Sequence, residues 1–185
     1  FGAAGLAIGL APQGSLSNFA AGVLIVAFRP YKVGDFIEVA GQSGSVLEVQ
    51  IFTTVLKSGD NKLVIVPNSQ IMNGTITNYS ALGTRRVDMV FGCGYGDDID
   101  TAYKVLQSII DNDSRILQDP APSIALNSLA DSSVNFNVRP WVNSADYWSV
   151  YNDITEQVKR QFDAAGLNIP FPQRDLHVYQ HTTDE

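Results

Sequence analysis

The sequence predicts a membrane helix followed by a small β domain, an α+β domain and a closing strand. Three observations predict it. Residues 1–28 carry no charge, the first being Arg29. Residues 30–80 alternate apolar and polar side chains between Gly-containing turns, the mark of short strands in a small barrel or sandwich. Residues 84–170 switch between a period of two and a period near four, which spells β-α-β-β-α-β.

The uncharged run comes first. As a straight helix it would be roughly 42 Å long, against about 30 Å for a bilayer's hydrocarbon core. It is expected to bend, tilt or leave the membrane. Pro12, Gln13 and Gly14 mark the expected break, since proline lacks a donor and glycine adds backbone freedom. On a helical projection of about 100° per residue, Leu6 and Leu10 share one ridge. Gly2, Gly5 and Gly9 lie roughly 90° to one side, and Ala3, Ala7 and Ala11 roughly 90° to the other. Small residues on opposite flanks let identical helices pack closely in lipid, either as a ring or as an ordinary bundle. In a ring the leucines would stack as a hydrophobic constriction that gates by expelling water. After the break, Leu16, Phe19, Ala20 and Val23 face one way and Ser15, Ser17 and Asn18 the other. Such a helix either lies along a membrane surface or packs on the next domain. The run has no basic n-region and is no signal peptide. Opening at Phe1 without an initiator Met, the chain is expected to be part of a longer protein.

The β domain is assigned to residues 29–80. Phe36–Val39 is one strand. A second starts at Ser45–Val49, and its pattern allows it to run on through Ile51–Val55. Lys62–Val66 is a third. Turns are expected at 41–44 and 58–61. The α+β domain is assigned to 81–169. It opens on Val87, Met89 and Phe91, and a helix comes next with Ile99, Tyr103, Leu106 and Ile110 on one face. Two strands are expected near Ser123–Leu129 and Val134–Trp141. A second helix carries Val150, Ile154, Val158 and Phe162, and Gly166 stops it. Pro170-Phe171-Pro172 is a rigid connector. Residues 170–185 form the tail, with a final strand near Leu176–Tyr179.

Charge and composition exclude several functions. Residues 1–86 hold six basic and four acidic side chains, whereas residues 87–185 hold six and fifteen. So acidic a second half does not suit nucleic acid, whose phosphates need cations. Lys32, Lys57 and Lys62 are too few, without interleaved aromatics, to make the β domain an RNA platform. Arg29 and Lys32, just after the uncharged run, favour a cytoplasmic location for the rest of the chain. Cys93, the single cysteine, reads as a core thiol. Gly96-Asp97-Asp98 resembles a polymerase motif, but with Asp100 it stands at a helix start, where carboxylates cap free N–H groups. His177, His181 and Asp184 fall on an expected strand, too far apart to share a metal ion. No catalytic constellation, metal site or cofactor is expected.

The stretch Gly2-Ala3-Ala4-Gly5-Leu6-Ala7-Ile8-Gly9-Leu10-Ala11, with Gln13-Gly14-Ser15-Leu16-Ser17-Asn18, resembles the pore helix of the small-conductance mechanosensitive channel (MscS) family. Arg29-Pro30-Tyr31-Lys32-Val33-Gly34-Asp35 resembles its entry into the β domain, and Val66-Pro67-Asn68 its strand-ending motif. Phe162–Gly166 with Pro170-Phe171-Pro172 is similar to its exit toward a C-terminal barrel. The resemblance runs nearly end to end. It implies a non-enzymatic homoheptamer in the bacterial inner membrane, with residues 29–185 cytoplasmic. Its Sm-like β domain and ferredoxin-like domain would form a hollow vestibule, and seven C-terminal strands would close the base as a barrel. Tension would open the pore and release ions and small solutes on hypo-osmotic shock. The partners implied are copies of itself, membrane lipid and the permeating solutes. Two membrane helices would precede Phe1. By this resemblance Leu6 and Leu10 form the constriction, and Gly2, Gly5, Gly9, Ala3, Ala7 and Ala11 pack neighbouring helices. The family's bend falls on Gly14, and with Pro12 it predicts a hinge confined to residues 11–15, with Gly22 a further candidate hinge left helical in most states. Because buried amides need partners, Asn18 on the polar side of the second half-helix and Asn68 at a strand end, or their backbones, are expected to meet and couple pore to vestibule. Pro12 departs from the pattern, standing where an apolar, helix-compatible residue is expected. Two rivals stay open: a channel of this fold opened by a ligand or partner, and a membrane-anchored scaffold that does not conduct.

Overall fold

The structure is a computed structural model that describes residues 13–179. It divides into two compact units, the first ending at Gly83 and the second starting at Thr84.

The first unit opens on helix α1 (Gln13–Phe28). Its end is dictated by Pro30, because the residue before a proline is steered away from helical geometry. Arg29 takes φ +48° and donates its N–H to the Ile25 carbonyl at 2.9 Å. Among the described residues, no helix is long and apolar enough to cross a membrane. Beyond α1 lies an antiparallel sheet, built from β1 (Phe36–Val39), β2 (Gln42–Val49), β3 (Thr53–Lys57), β4 (Leu63–Pro67) and β5 (Thr77–Asn78). Its order is β4-β3-β2-β1-β5. A five-residue helix α2 (Asn68–Met72) leads from β4. Ile37, Val39, Val46, Leu56 and Val66 from the sheet form the core with Ile25 of α1 and Ile71 of α2.

Two expectations for this unit need correction. The pattern that allowed one strand through 45–55 hides a reversal: β2 and β3 pair antiparallel, and Gln50 N–H donates to the Thr53 carbonyl at 2.8 Å. Ile51 and Phe52 keep the apolar pattern but sit at the tip of this hairpin, both exposed. The β1–β2 turn lies at Ala40-Gly41 rather than 41–44, since Gln42 already pairs with Val39.

The second unit contains a two-stranded ribbon of β6 (Thr84–Arg86) and β10 (Trp141–Asn143). Its main sheet is formed by β7 (Met89–Cys93), β8 (Ser123–Leu129) and β9 (Val134–Arg139), in the order β7-β9-β8. Helices α3 (Ile99–Asn112) and α4 (Tyr147–Ala164) complete it. Val150, Ile154, Val158 and Phe162, one turn apart along α4, are all buried. They meet Ala102, Leu106, Ile109 and Ile110 of α3 and Phe136 of β9 in one apolar core. Cys93 belongs to it, and burial pushes its thiol pKa up. The buried face of α3 is rotated from the expected one: Ile99 is exposed, and Ala102 and Ile109 are inside. At the end of α4 Gly166 takes φ +73°, and Leu167 N–H reaches back to the Phe162 carbonyl at 2.9 Å. The glycine stops the helix because its backbone accepts the left-handed turn.

The strand expected at Leu176–Tyr179 is not formed. Residues 170–179 are irregular, and among the described residues none pairs with them in a ladder. Leu176, Val178 and Tyr179 are exposed. Alternation alone cannot make a strand without a backbone partner.

Candidate functional site at the helix junction

Helix α1 rests on the β domain through a narrow face of Asn18, Ala21, Gly22 and Ile25. The apolar face that the sequence emphasises, with Leu16, Phe19 and Val23, stays exposed. Apart from Ile25, which enters the core, the packing face is made of small and polar residues, so the two backbones approach closely. At Gly22 a Cβ atom would lie 2.3 Å from the Ile51 carbonyl oxygen and 2.8 Å from Asn68 Nδ2. No side chain fits there. Gly22, a candidate hinge expected to stay helical in most states, is helical and contacts the β2–β3 hairpin tip.

Asn18 uses both ends of its carboxamide. Nδ2 donates to the Gly14 carbonyl at 2.9 Å, within α1 itself. This turns Oδ1 outward, where it accepts the Ser69 N–H at 2.9 Å. Ser69 is the second residue of α2, and its N–H is among the donors a helix start leaves without an internal partner. Pro67, at the cap position, supplies no side-chain bond. Asn18 therefore caps α2 from another helix.

Asn68 sits next to that bond and is fully buried. Its Nδ2 donates to the carbonyls of Gln50 at 2.9 Å and Ile51 at 3.1 Å. Its backbone N–H donates to the Phe52 carbonyl at 2.9 Å. Its Oδ1 accepts the Thr54 hydroxyl at 2.9 Å, and Thr54 Oγ1 lies 2.9 Å from the Tyr31 hydroxyl. Burial raises the Tyr31 pKa, which keeps the phenol protonated. One carboxamide thus pins the hairpin tip that α1 lies on. An apolar groove of about 360 Å³ flanks the junction, lined by Phe19, Val23, Val26, Val49 and Ile51. The Phe19 and Phe52 rings stand 6.4 Å apart across the helix–hairpin contact.

The structure brings Asn18 and Asn68 to consecutive positions of one polar junction, with Gly22 between helix and hairpin. Gly14 is helical, and a Cβ there would meet nothing within 4 Å. Gln13, Gly14 and Ser15 all lie in α1, so the break expected over 11–15 does not fall on them. Gly2, Ala3, Gly5, Leu6, Ala7, Gly9, Leu10, Ala11 and Pro12 lie outside the described residues. The sequence did not single out Tyr31, Thr54, Gln50 or Ile51. Thr54 offered the one available signal, a polar residue on the face that otherwise carries Leu56 to the core.

The acidic motif has a split role. Asp98 caps α3 by accepting the Thr101 N–H at 2.9 Å, and that threonine's hydroxyl lowers its pKa. Asp97 instead clasps the N–H groups of Gly94 and Asn168, each at 2.8 Å. Among the described residues, no three His, Cys, Asp or Glu side chains gather as metal ligands would. His177 is exposed in the irregular tail, and His181 and Asp184 lie outside the described residues.

Comparison with known proteins adds independent findings. A family profile described as "Mechanosensitive ion channel, beta-domain" matches residues 14–81. A second, "Mechanosensitive ion channel MscS, C-terminal", matches residues 87–169. The small-conductance mechanosensitive channel of Edwardsiella ictaluri is 52% identical over 178 residues, covering 96% of this chain and 62% of that protein. An uncharacterized MscS family protein of Synechocystis is 50% identical over 184 residues, covering 100% and 62%. The chain thus spans about three fifths of the length of these relatives. The crystal structure of Helicobacter pylori MscS in its closed state superposes with a TM-score of 0.91 at 32% identity, over 97% of this chain and 72% of that one. Arabidopsis thaliana MSL1, at 20% identity and a TM-score of 0.75, shares the fold.

Proposed function

The chain belongs to the MscS family of mechanosensitive channels, and we propose that it supplies the pore-lining and cytoplasmic part of a homo-oligomeric channel opened by membrane tension. The observation that carries this reading is the near-complete match of its fold to a channel in a closed state. The family is one of channels rather than enzymes.

In this proposal seven copies surround a pore in the bacterial inner membrane, with residues 29–185 in the cytoplasm. Leu6 and Leu10 form the constriction. The Gly2, Gly5 and Gly9 face packs against a neighbour's Ala3, Ala7 and Ala11. Small residues permit that approach, and stacked leucines make a wetted lumen unfavourable. Pro12 acts as a pivot for the segment before α1, with Gly14 beside it. The Sm-like and ferredoxin-like domains build a vestibule that filters solutes. Residues 170–185 add one strand per copy to a basal barrel, which gives Leu176 and Val178 a partner. Membrane lipid meets the exposed Leu16, Phe19 and Val23. The junction of Asn18, Gly22 and Asn68 links movement of α1 to the β domain, because shifting α1 breaks the cap on Ser69 and leaves polar groups without partners.

Patch recording of the full-length protein under graded suction tests the proposal. Suction-dependent openings that pass small ions support it. Currents that need a ligand at zero tension, or no current at all, contradict it. Leu10→Ser is expected to hydrate the constriction and lower the opening tension, and Gly9→Val to raise the tension by wedging helices apart. An unchanged threshold in both removes the leucine gate and the Gly/Ala packing.

A further inference from the structure

The bond between Asn18 and Ser69 depends on where α2 begins, and that depends on Asn68. The Asn68 carboxamide has one permitted orientation. The Gln50 and Ile51 carbonyls can only accept, so the end facing them must be Nδ2. Oδ1 then faces Thr54, and since it can only accept, the Thr54 hydroxyl must donate to it. A hydroxyl has one hydrogen. With that hydrogen committed, the 2.9 Å contact to Tyr31 is possible only with the phenol as donor. The direction of the whole row is fixed: Tyr31 O–H to Thr54, Thr54 O–H to Asn68, Asn68 Nδ2 to the hairpin tip. All three residues are buried, at 4%, 0% and 0% exposure. With so little exposure to solvent, a wrong turn of any one leaves a buried polar atom unmatched.

The row also closes a loop in the chain. Tyr31 comes directly after α1, beyond Arg29 and Pro30, while Asn18 lies in the first half of α1. Both converge on the Asn68–Ser69 peptide, one through a hydroxyl relay beneath the helix and the other by a direct cap. We propose that Tyr31 is a positioning residue: its hydroxyl, acting through Thr54, fixes the Asn68 carboxamide and so holds the Ser69 N–H where Asn18 caps it. Without the phenol hydrogen, the buried Thr54 oxygen loses its incoming donor, and the threonine is no longer braced against Asn68. The carboxamide keeps the orientation that the Gln50 and Ile51 carbonyls impose, but its Oδ1 end is no longer held in place, and the hairpin tip under Gly22 loosens with it. This role for Tyr31 deepens the proposed coupling junction and rests on it for its consequence in gating.

Hydrogen exchange of the purified full-length protein reads this directly, through the peptide containing Ser69. Tyr31→Phe and the isosteric Thr54→Val are expected to speed exchange there by about 3- to 10-fold, the effect of losing one net hydrogen bond. Thr54→Ser, which keeps the hydroxyl, recovers most of the protection lost in Thr54→Val. Peptides from α4 in the second unit stay at the wild-type rate, which separates local loosening from general destabilisation. Asn18→Ala is the direct comparison, since it removes the cap itself. If Asn18→Ala speeds exchange at Ser69 while Tyr31→Phe and Thr54→Val leave it unchanged, the relay has no positioning role and the inference is overturned, with the junction intact. Patch recording of the same variants is the second arm. If exchange rises in all three but their closing and recovery kinetics match wild type, the positioning role stands and the coupling role of the junction fails.

Discussion

The two units bury very different material. Among the described residues of the second unit every buried core residue is apolar, from Val87 to Leu167. In the first unit the buried set includes Asp35, Thr54 and Asn68, each holding specific partners. An apolar core is non-directional and gains with each methylene, so it suits a part that must only persist. A polar junction gains little net energy but permits one arrangement, so it suits a contact that must be made and unmade in register. The second unit is thus expected to carry stability, and the first to carry position.

The largest test of this contrast is Phe162→Ala. Removing a fully buried ring from the second unit is expected to cost about 3–5 kcal/mol. Trp141 and Trp148, the chain's two tryptophans, both lie in that unit, so their fluorescence during urea unfolding reports it directly. The kinetics of gating should change little in any assembly that still forms. A loss below about 1 kcal/mol would mean that the second unit does not hold the molecule's stability.

Gly22→Val breaks the first unit instead. Its Cβ would overlap the Ile51 carbonyl, so α1 must lift from the hairpin at about 1–3 kcal/mol. Exchange of the peptide spanning 49–54 should rise while the tryptophan transition stays put. An unchanged peptide would show that the close approach is not needed. Asn18→Ala is milder. Loss of a capping bond typically costs about 1 kcal/mol. The same variant should alter recovery after opening more than it alters unfolding, and the reverse ranking would erase the division of labour.

The smallest effect sharpens the contrast from the second unit's surface. Arg115 bonds Asp113 at 2.6 Å and Asp153 at 2.8 Å. The guanidinium holds the Asp113 carboxyl below its usual range. That contribution is present in full above the ordinary carboxylate value of about 4, and is lost as pH falls through the lowered folded value. Arg115→Met should therefore move the onset of acid unfolding, read by tryptophan fluorescence, slightly upward in pH. No shift would mean the ion pair is spent on solvent.

The same contrast explains what could be read from the sequence. Val150, Ile154, Val158 and Phe162 announce α4 because apolar cores are built by repetition, and repetition is visible along a chain. The junction does not repeat. Tyr31, Thr54 and Asn68 are joined by hydrogen bonds across long separations, and single polar residues in a strand pattern carry no address. The β2–β3 reversal was invisible for a related reason. Gln50-Ile51-Phe52 contains no glycine or proline, and the turn is closed instead by Gln50 N–H on the Thr53 carbonyl and the Thr53 hydroxyl on the Gln50 side chain, a pairing that no usual turn residue announces. Elements as short as β5, β6 and α2 are made by tertiary pairing and have no period of their own. The Asn18–Asn68 meeting was anticipated because buried amides need partners, through the side chains or the backbones, and the contact formed is of Asn18 with the neighbouring Ser69 N–H.

A cross-link across the junction asks whether α1 must leave α2 for the channel to open. The pair Asn18→Cys and Ser69→Cys would join α1 to α2, and Cys93, the one cysteine of this sequence, is buried. In the full-length protein, with bond formation verified by mass, suction responses are recorded before and after reduction. The oxidised protein is expected to be held in one gating state, with a shifted threshold or altered recovery that reductant reverses. Identical tension responses with the bond formed and broken would contradict it, since α1 and the β domain would then never need to part.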